Sequence, residues 1–293
     1  MGTEQSRKTA LIFGLGYVGS RFLARLREDG WNVSAVIREG TQISRTHSLG
    51  AQPILANDVT HLIRTMNTAD IVLITAPPTQ EGCPALASMR PALSSGARPR
   101  WIGYLSSTSV YGDQQCRIAD ETAELKATSP EGQRRIEAEK AWQVFTQGEH
   151  LPLTIFRLAA IYGPERSAID RVQAGTARRI IKPGHVLSRV HVDDIISLLW
   201  LSIQTVGSRE IYNASDDEPT PAQDVVAYAS MLLNLPAPLE ERIDDVELSP
   251  TARRFFNECR RISATYAKER LGWKPAYSTY REGLNAIMNN KNS

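Results

Sequence analysis

The stretch from residue 9 to residue 20 constrains the fold more than any other part of the chain. An apolar run too short for a helix, residues 9–13, stops at Gly14, and Gly16 and Gly19 follow at the G-x-G-x-x-G spacing. Helical periodicity then resumes, so the stretch predicts a strand, a tight turn and a helix. The first glycine turns sharply, the second lets the backbone approach a pyrophosphate, and the third lets the helix pack closely on the strand.

This turn predicts a dinucleotide site, because a helix N-terminus offers free N–H groups to an anion. The next apolar run, residues 32–37, arrives one helix length later, so the motif opens a βαβ unit. That context is the one that a dinucleotide-binding turn requires. The residues of the turn that we expect at the cofactor are Gly14, Gly16, Tyr17, Val18 and Gly19.

The end of the second strand bears on which cofactor is bound. An NAD site places Asp or Glu there to accept hydrogen bonds from the ribose 2′-hydroxyl. Here the strand is followed by Arg38, with Glu39 one place later. Arg38 is suited to a 2′-phosphate, which favours NADP, whereas Glu39 is still within reach of a ribose, which leaves NAD as the alternative.

The composition excludes several classes of protein. The 34 basic and 32 acidic residues give a net charge of +2 with no long run of one sign, which predicts neither nucleic-acid nor membrane-surface binding. No stretch reaches the roughly 18 apolar residues of a membrane span, and the N-terminus lacks a signal-peptide core. We interpret Cys83, Cys116 and Cys259 as free thiols without metal-ligand spacing, and we expect a cytoplasmic protein without a metal site.

Strands and helices alternate along the first half of the chain. The pattern predicts strands at residues 52–56, 70–75, 101–106 and 153–158, and helices at residues 59–66 and 130–147. Such alternation is typical of the α/β class, here a doubly wound parallel sheet, the Rossmann fold. Ligands of these sheets bind outside the carboxyl ends of the strands. The strand-end residues that we expect at the cofactor are Arg38, Thr75, Ala76, Pro77 and Ser106.

The predicted secondary-structure elements become shorter after about residue 163. Helices are predicted at residues 192–204 and 221–233, a strand at 210–213, and a proline-rich acidic loop at 236–250. We therefore predict a dinucleotide-binding domain over residues 1–162. Residues 163–293 would form mainly a smaller substrate lobe, with residues around 190–215 returning to the Rossmann core.

Several further segments resemble the extended short-chain dehydrogenase/reductase family, which includes nucleotide-sugar epimerases and dehydratases. The resemblance covers almost the whole chain, and its signatures occur in the expected order. They are Leu-Ser-Ser-Thr-Ser-Val-Tyr-Gly-Asp at 105–113, Phe-Arg-Leu-Ala-Ala-Ile-Tyr-Gly-Pro at 156–164, Arg-Val-His-Val-Asp-Asp-Ile at 189–195, Ile-Tyr-Asn-Ala at 211–214 and Leu-Gly-Trp-Lys-Pro at 271–275. The resemblance implies a Rossmann fold, a nicotinamide cofactor and a small-molecule substrate.

The catalytic signature of that family is absent. The family uses a tyrosine as general acid/base with a lysine four residues later, but this sequence contains no Tyr-x-x-x-Lys. Alignment on the helix puts Glu131 at the tyrosine position and Arg135 at the lysine position. Arg135 can still hold a ribose, although a permanently protonated guanidinium is a poor proton relay. A free carboxylate, with a pKa of about 4, is a base at neutral pH. Glu131 is therefore either a catalytic base or an exposed first-turn residue favoured by the helix dipole.

The resemblance assigns the remaining site residues. Ser107 carries over as the hydroxyl that orients the substrate oxygen, and Tyr111 is either a substitute proton donor or a packed aromatic. His191 is interpreted as structural, with Asp193 or Asp194 capping the following helix. Loss of both Tyr and Lys is similar to an atypical subgroup of the family.

Two functions follow from these residues. The first is an NAD(P)-dependent oxidoreductase or epimerase acting on a small hydroxylated or carbonyl compound, including a nucleotide sugar. The second is a cofactor-binding sensor or scaffold without turnover. A homodimer through the long core helices is common in the family, but the apolar positions of the helix from residue 130 equally suit burial against its own sheet.

Overall fold

The computed structural model describes residues 8–205 and 209–291, and the chain divides into two compact units. Unit 1 comprises Met1–Ser106, Arg134–Phe156 and Leu198–Ile211. Unit 2 comprises Ser107–Gln133, Arg157–Ser197 and Tyr212–Ser293. The units interleave along the sequence, and the division into a cofactor domain and a substrate lobe at residue 162 stays a prediction.

Strands and helices alternate through most of the chain. The strands are β1 (Thr9–Phe13), β2 (Asn32–Ile37), β3 (Gln52–Leu55), β4 (Ile71–Ile74), β5 (Trp101–Ser107), β6 (Ile118–Ala119), β7 (Leu153–Leu158), β8 (Ala160–Tyr162), β9 (Arg179–Ile181), β10 (Arg189–His191), β11 (Arg209–Ala214), β12 (Glu240–Arg242) and β13 (Arg261–Ile262). The helices are α1 (Tyr17–Glu28), α2 (Ile43–Ser48), α3 (Val59–Met66), α4 (Pro84–Ser94), α5 (Pro130–Gly148), α6 (Ala168–Gln173), α7 (Val192–Ser202), α8 (Ala222–Leu232), α9 (Pro250–Asn257), α10 (Thr265–Leu271) and α11 (Tyr280–Lys291). None of the helices in the described ranges is long and apolar enough to cross a membrane.

A seven-stranded parallel sheet confirms the predicted fold class. Its order is β11-β7-β5-β4-β1-β2-β3, with β1 paired in parallel to both β2 and β4. All four residues of β4 are buried, as expected of a parallel strand covered on both faces. The carboxyl ends of neighbouring parallel strands therefore meet at one edge, where the glycine turn follows β1.

Several predicted boundaries match the structure, one predicted loop was wrong, and the helix after β4 was missed. The strands at 32–37 and 153–158 and the helix at 59–66 have the predicted limits. The region of 236–250, predicted to be a loop, contains the short strand β12, which pairs with β9. Helix α4 was missed, because Pro91 inside it reads as a helix breaker.

Each unit has a hydrophobic core of its own. In unit 1, α3, α4 and α5 cover one side of the sheet, and the core includes Leu62, Met89 and the fully buried Trp142. In unit 2, α6, α8 and α11 bury a cluster that includes Ile169 and Leu284.

The cysteine interpretation was wrong for two of the three residues. Cys116 and Cys259 form a disulfide within unit 2, across a sequence separation of 143. The parallel pairing of β6 with β13 brings the two segments together. Cys83 is a free, buried thiol. The expectation of a reducing compartment therefore loses its support from the cysteines.

Candidate functional site

The glycine turn of unit 1 has the geometry that its spacing predicts. Gly14 adopts a positive φ of 100°, and a Cβ there would lie 2.9 Å from Thr75 Oγ1. Thr75 donates a hydrogen bond from this hydroxyl to the Gly14 carbonyl at 2.7 Å. A Cβ on Gly19 would lie 2.5 Å from the same carbonyl, so the helix approaches the turn more closely than a side chain permits. A Cβ on Gly16, in contrast, would meet only open space.

The N-terminus of α1 is suited to an anion. Gly16 is its N-cap and contributes no side-chain hydrogen bond, and the first turn carries no acidic residue. The backbone N–H groups and the positive end of the helix dipole therefore face whatever lies beside Gly16. Together with the open space at Gly16, this arrangement fits the pyrophosphate of a dinucleotide.

A cleft of about 380 Å³ lies beside this turn, entirely within unit 1. Its lining includes six of the residues predicted to contact the cofactor: Gly14, Gly16, Arg38, Thr75, Ala76 and Pro77. Sequence reasoning missed other lining residues, which include Gln42, Ala56, Thr79, Pro84 and Ser88. Ala56 follows the end of β3, so the strand-end rule contained the signal for it. Pro84 and Ser88 belong to the helix that was missed.

The remaining residues of the predicted turn lie outside the lining of this cleft. Val18 is buried beneath the helix, and the ring of Tyr17 lies 3.9 Å from the Arg21 guanidinium. Gly19 serves the close approach of helix and turn. These three residues shape the turn, and their contact with the cofactor stays a prediction.

Arg38 and Glu39 follow β2 at the rim of the cleft, and their side chains have different surroundings. Arg38 is exposed and lines the cleft, and its guanidinium makes no hydrogen bond or ion pair within the described residues. The Glu39 side chain instead accepts a hydrogen bond from the Gln42 backbone in a capping box at a short 3₁₀ turn. Gln42 Oε1 accepts in return from the backbone N–H groups of Arg38 and Glu39, at 3.2 and 3.3 Å.

Ser106 and Arg135 have partners inside unit 1 and do not line the cleft. Ser106 donates its hydroxyl hydrogen to Glu139 at 2.5 Å, and both side chains are buried. Arg135, one helical turn before Glu139 on α5, donates to the Leu105 carbonyl. Burial raises the pKa of the neighbouring Tyr104 phenol. Both predicted residues thus tie α5 to β5, an outcome that the alignment with the family gave no means to foresee.

Unit 2 contains a separate cavity of about 300 Å³ with two of the predicted catalytic residues in its wall. The polar residues that line it include Ser107, Ser109, Ser129, Glu131, Glu258 and Arg260. The apolar ones include Leu158, Ala160, Val186, Leu187, Phe255 and Ile262. Ser107 and Glu131 were predicted from the sequence. The walls from residues 186–188 and 255–262 were missed, because neither segment follows a strand of the main sheet.

The serines and Glu131 are grouped by short contacts. Ser107 Oγ accepts a hydrogen bond from the Ser109 N–H at 3.1 Å, which leaves its own hydrogen to donate. Ser129 Oγ accepts from the Gly132 N–H at 3.1 Å, in the first turn of α5. A Cβ on Gly132 would lie 3.0 Å from the Ser109 carbonyl, so this turn packs tightly on the segment after β5. Glu131 is exposed at the start of the helix.

Tyr111 does not lie in the wall of this cavity. Its side chain is fully buried, and its hydroxyl donates to Asn213 Oδ1 at 2.7 Å while accepting from Arg157 Nη1 at 3.0 Å. Glu121 accepts from the Asn213 backbone N–H at 2.7 Å. Burial raises the pKa of the Tyr111 phenol, which makes proton release harder still. Of its two interpretations, the geometry supports the packed aromatic.

The His-Val-Asp-Asp element is also engaged in structure. Asp194 accepts hydrogen bonds from the backbone N–H groups of Ala276 and Tyr277 at 2.6 and 3.2 Å, and burial raises its pKa to about 6. The His191 ring lies edge-on to Tyr162 and Tyr277. Asp194 thus anchors the C-terminal segment of unit 2, rather than capping the helix as expected.

Curated relatives extend over most of the chain. Protein YeeZ of Escherichia coli K12 is 29% identical over 219 residues, covering 70% of this chain and 77% of that protein. A 3-diazoavenalumate denitrifying reductase from a Streptomyces species is 24% identical over 302 residues, covering 92% of this chain and 96% of the reductase.

Solved structures share the fold over almost the entire chain. A functionally unknown conserved protein from Silicibacter pomeroyi is 37% identical, with a TM-score of 0.89 over 98% of this chain and 100% of that protein. A UDP-glucose 4-epimerase from Thermotoga maritima, solved with UDP-glucose, is 19% identical, with a TM-score of 0.79 over 97% and 98% of the two chains.

The parallel sheet and the glycine turn beside a cleft define a dinucleotide-binding α/β protein. The model of the NAD dependent epimerase/dehydratase family matches residues 92–215. The match identifies an NAD dependent epimerase/dehydratase domain within the chain, and the sequence lacks the Tyr-x-x-x-Lys pair.

Proposed function

We propose that the protein is an NADP(H)-dependent oxidoreductase or epimerase acting on a small hydroxylated or carbonyl compound. The observation that carries the proposal is that Ser107 and Glu131 line one cavity, although 24 positions separate them in the sequence. A hydroxyl that can donate and a carboxylate that can accept a proton are the groups that alcohol–carbonyl chemistry requires. A sensor without turnover would have no need of such a pair.

The preference for NADP rests on the rim of the cleft in unit 1. Arg38 lines the cleft without a partner of its own among the described residues, whereas Glu39 is held in the capping box with Gln42. A guanidinium binds a phosphate through charge-assisted hydrogen bonds. The family's description names NAD, so the choice between the two cofactors is a test of the role of Arg38.

In the proposed reaction, each residue of the cavity has one task. When bound, the nicotinamide supplies the hydride chemistry. Ser107 donates its hydrogen to the reacting oxygen of the substrate, since its oxygen already accepts from Ser109. Glu131 takes the proton of a substrate hydroxyl during oxidation and returns it during reduction. Tyr111 has no part in proton transfer, because its hydroxyl is engaged with Asn213 and Arg157.

The relatives support an oxidoreductase without identifying the substrate. One of them is a reductase by name, and a structure with the same fold is a UDP-glucose epimerase. Both names are compatible with an enzyme that uses one nicotinamide cofactor and one proton-transferring group.

The test combines cofactor titration with a screen for turnover. Calorimetric titration with NADP, NADPH, NAD and NADH is expected to give the tightest binding for the phosphorylated forms. Carbonyl compounds and alcohols are then screened through the nicotinamide absorbance. Glu131→Gln is expected to lower kcat at least tenfold with the cofactor affinity unchanged, whereas Glu137→Gln, on the same helix but outside the cavity wall, leaves kcat unchanged.

The proposal fails in two recognisable ways. Absence of binding for all four cofactors would reduce the glycine turn to a structural feature. Tight binding without turnover of any compound would favour the sensor instead.

A further inference from the structure

Hydrocarbon makes up most of the surface that lines the unit 2 cavity, although polar residues are as numerous as apolar ones in its wall. Leu158, Val186, Leu187, Phe255 and Ile262 contribute hydrocarbon surface, and the volume is about 300 Å³. A cavity of about 150 Å³ is enough to hold benzene. The cavity therefore has room for a substituted ring or a pair of fused rings, and it lies at the small end of the usual range for ligand sites.

The charged groups of the wall do not suit an anionic ligand. Among the described residues that line the cavity, Glu131 and Glu258 contribute two carboxylates against the single guanidinium of Arg260, a net charge of −1. That guanidinium is already engaged, since its Nη1 donates to Glu258 Oε2 at 2.7 Å and to the Gly112 carbonyl at 3.0 Å. The side chains of the pair are 16% and 11% exposed, so water screens them little.

Two further cations of unit 2 donate to backbone carbonyls in the cavity wall or next to it. Lys182 donates to the Phe256 carbonyl, next to Phe255. Arg189 donates to the carbonyls of Leu187 and Thr220 at 2.8 and 2.9 Å. These cations fix the segments that form the wall. A diphosphate in the cavity would thus meet carboxylates and hydrocarbon, at a cost that unpaired burial of charge makes large.

An aromatic group forms one side of the cavity. Phe255 is 40% exposed, an unusual position for a phenylalanine, and its ring is edge-on to that of the buried Phe256 at 5.5 Å. The His185 ring, 5.5 Å from Phe256, donates a hydrogen bond from Nε2 to the Glu258 carbonyl at 3.0 Å. The exposed face of Phe255 is therefore held in place by packed neighbours and is available to a ligand ring.

We infer that the cavity binds an uncharged ring compound with an apolar body and one carbonyl or hydroxyl group, rather than a nucleotide sugar. The ring lies against Phe255 and the aliphatic wall, and its oxygen reaches the group formed by Ser107, Ser109 and Ser129. The assignment of this oxygen as the reacting one rests on the proposed function. Binding of the ring depends only on the cavity.

Binding is tested separately from turnover. The probes are α-tetralone, a neutral bicyclic ketone, and UDP-glucose, each titrated calorimetrically into the full chain with and without NADP. We expect α-tetralone to bind at least tenfold more tightly than UDP-glucose. Equal or tighter binding of UDP-glucose, or no binding of α-tetralone at millimolar concentration, would overturn the inference.

Variants locate the ligand. Phe255→Ala is expected to weaken α-tetralone binding about tenfold, and Phe255→Lys to weaken it further while improving the affinity for UDP-glucose. Leu239→Ala truncates an exposed side chain of unit 2 outside the cavity wall and should change neither affinity. Thermal unfolding of each variant verifies that it folds. An unchanged α-tetralone affinity in folded Phe255→Ala would contradict the proposed location.

The two proposals fail differently. Tight α-tetralone binding with no cofactor binding would leave the ring site intact and remove the oxidoreductase. Turnover of UDP-glucose with no affinity for neutral rings would leave the oxidoreductase or epimerase intact and remove the ring site.

Discussion

The phenolic oxygen of Tyr111 lies 2.7 Å from Oδ1 of Asn213, and both side chains are fully buried. Arg157 donates to the same phenolic oxygen, so this hydroxyl has a donor and an acceptor inside the protein. The motif resembles an active-site signature, but here its Tyr111 packs the segment after β5 in the protein interior. The same motif nevertheless places Ser107 in the wall of a cavity, so Ser107 and Tyr111 serve different purposes.

Tyr111→Phe is expected to lower the free energy of unfolding by about 1–3 kcal/mol, because it removes the donor to the buried Asn213 Oδ1 and one of the acceptors of Arg157. Urea unfolding measures this change. The matched control is Tyr228→Phe, which removes a hydrogen bond to Asn285 at the surface and should cost less than about 0.5 kcal/mol. A stable Tyr111→Phe protein that had lost turnover would instead make Tyr111 catalytic.

Substitutions of the glycines in the turn should distinguish an effect on stability from an effect on cofactor binding. Gly16→Ala places a methyl group in open space, so we expect stability to change by at most about 1 kcal/mol and cofactor affinity to fall roughly tenfold or more. Gly19→Ala forces a methyl group against the Gly14 carbonyl and should destabilise the fold by about 1–3 kcal/mol. Calorimetric titration and thermal unfolding of both variants give the comparison. Retention of full cofactor affinity in Gly16→Ala would argue against a pyrophosphate at this position.

Arg38→Ala should weaken NADP binding by roughly tenfold while leaving NAD binding unchanged, because in the proposed function the arginine would interact only with the 2′-phosphate. Arg45→Ala serves as the control, since Arg45 is exposed on α2 and lies outside the cleft lining. Equal losses for NADP and NAD would show that Arg38 acts on the turn rather than on the phosphate.

Removal of the Cys116–Cys259 disulfide is expected to cost about 2–4 kcal/mol of stability, since the bond closes a long loop. The Cys116→Ser, Cys259→Ser double variant should unfold at a lower temperature than the oxidised protein. Adding reductant should lower the unfolding temperature of the natural sequence and leave that of the double variant unchanged. A reductant effect of equal size on both proteins would place its origin elsewhere.

Asp194 should make stability depend on pH in a defined window. Its pKa of about 6 in the folded protein exceeds the value of about 3.9 in an unfolded chain, so the folded state holds the proton more tightly. The free energy of unfolding therefore falls as the pH rises from about 4 to about 6, by at most about 3 kcal/mol, and this contribution is constant above that. Asp194→Asn should remove this slope, and the exposed Asp193→Asn should retain it. Parallel pH profiles for the natural protein and Asp194→Asn would contradict the assignment.

Much of the fold was predictable because short apolar runs and glycine spacing are local signals. Residues 32–37 form a strand for reasons contained in those six residues, and the strand-end rule located Arg38, Thr75 and Pro77 in one cleft. The strand-end rule also predicted Ser107, at the end of β5.

The rest depended on contacts between distant segments. The direction of the Arg135 side chain is set by the Leu105 carbonyl, and the pairing of Cys116 with Cys259 by strands far apart in the chain. Neither of these two contacts can be predicted from residue spacing or periodicity. The cavity wall around Phe255 and Arg260 belongs to the same class, because it is assembled by long-range packing.

The capping box at the cleft rim limits how coenzyme preference can be redesigned. Glu39 is the acid nearest to the position where an NAD site needs one, yet its carboxylate and Gln42 hold each other in place. Turning Glu39 toward a ribose would release Gln42, which itself lines the cleft. An engineer would therefore leave both residues untouched and introduce the new carboxylate at position 38, where the side chain has no hydrogen-bond or ion-pair partner within residues 8–205 and 209–291 to give up.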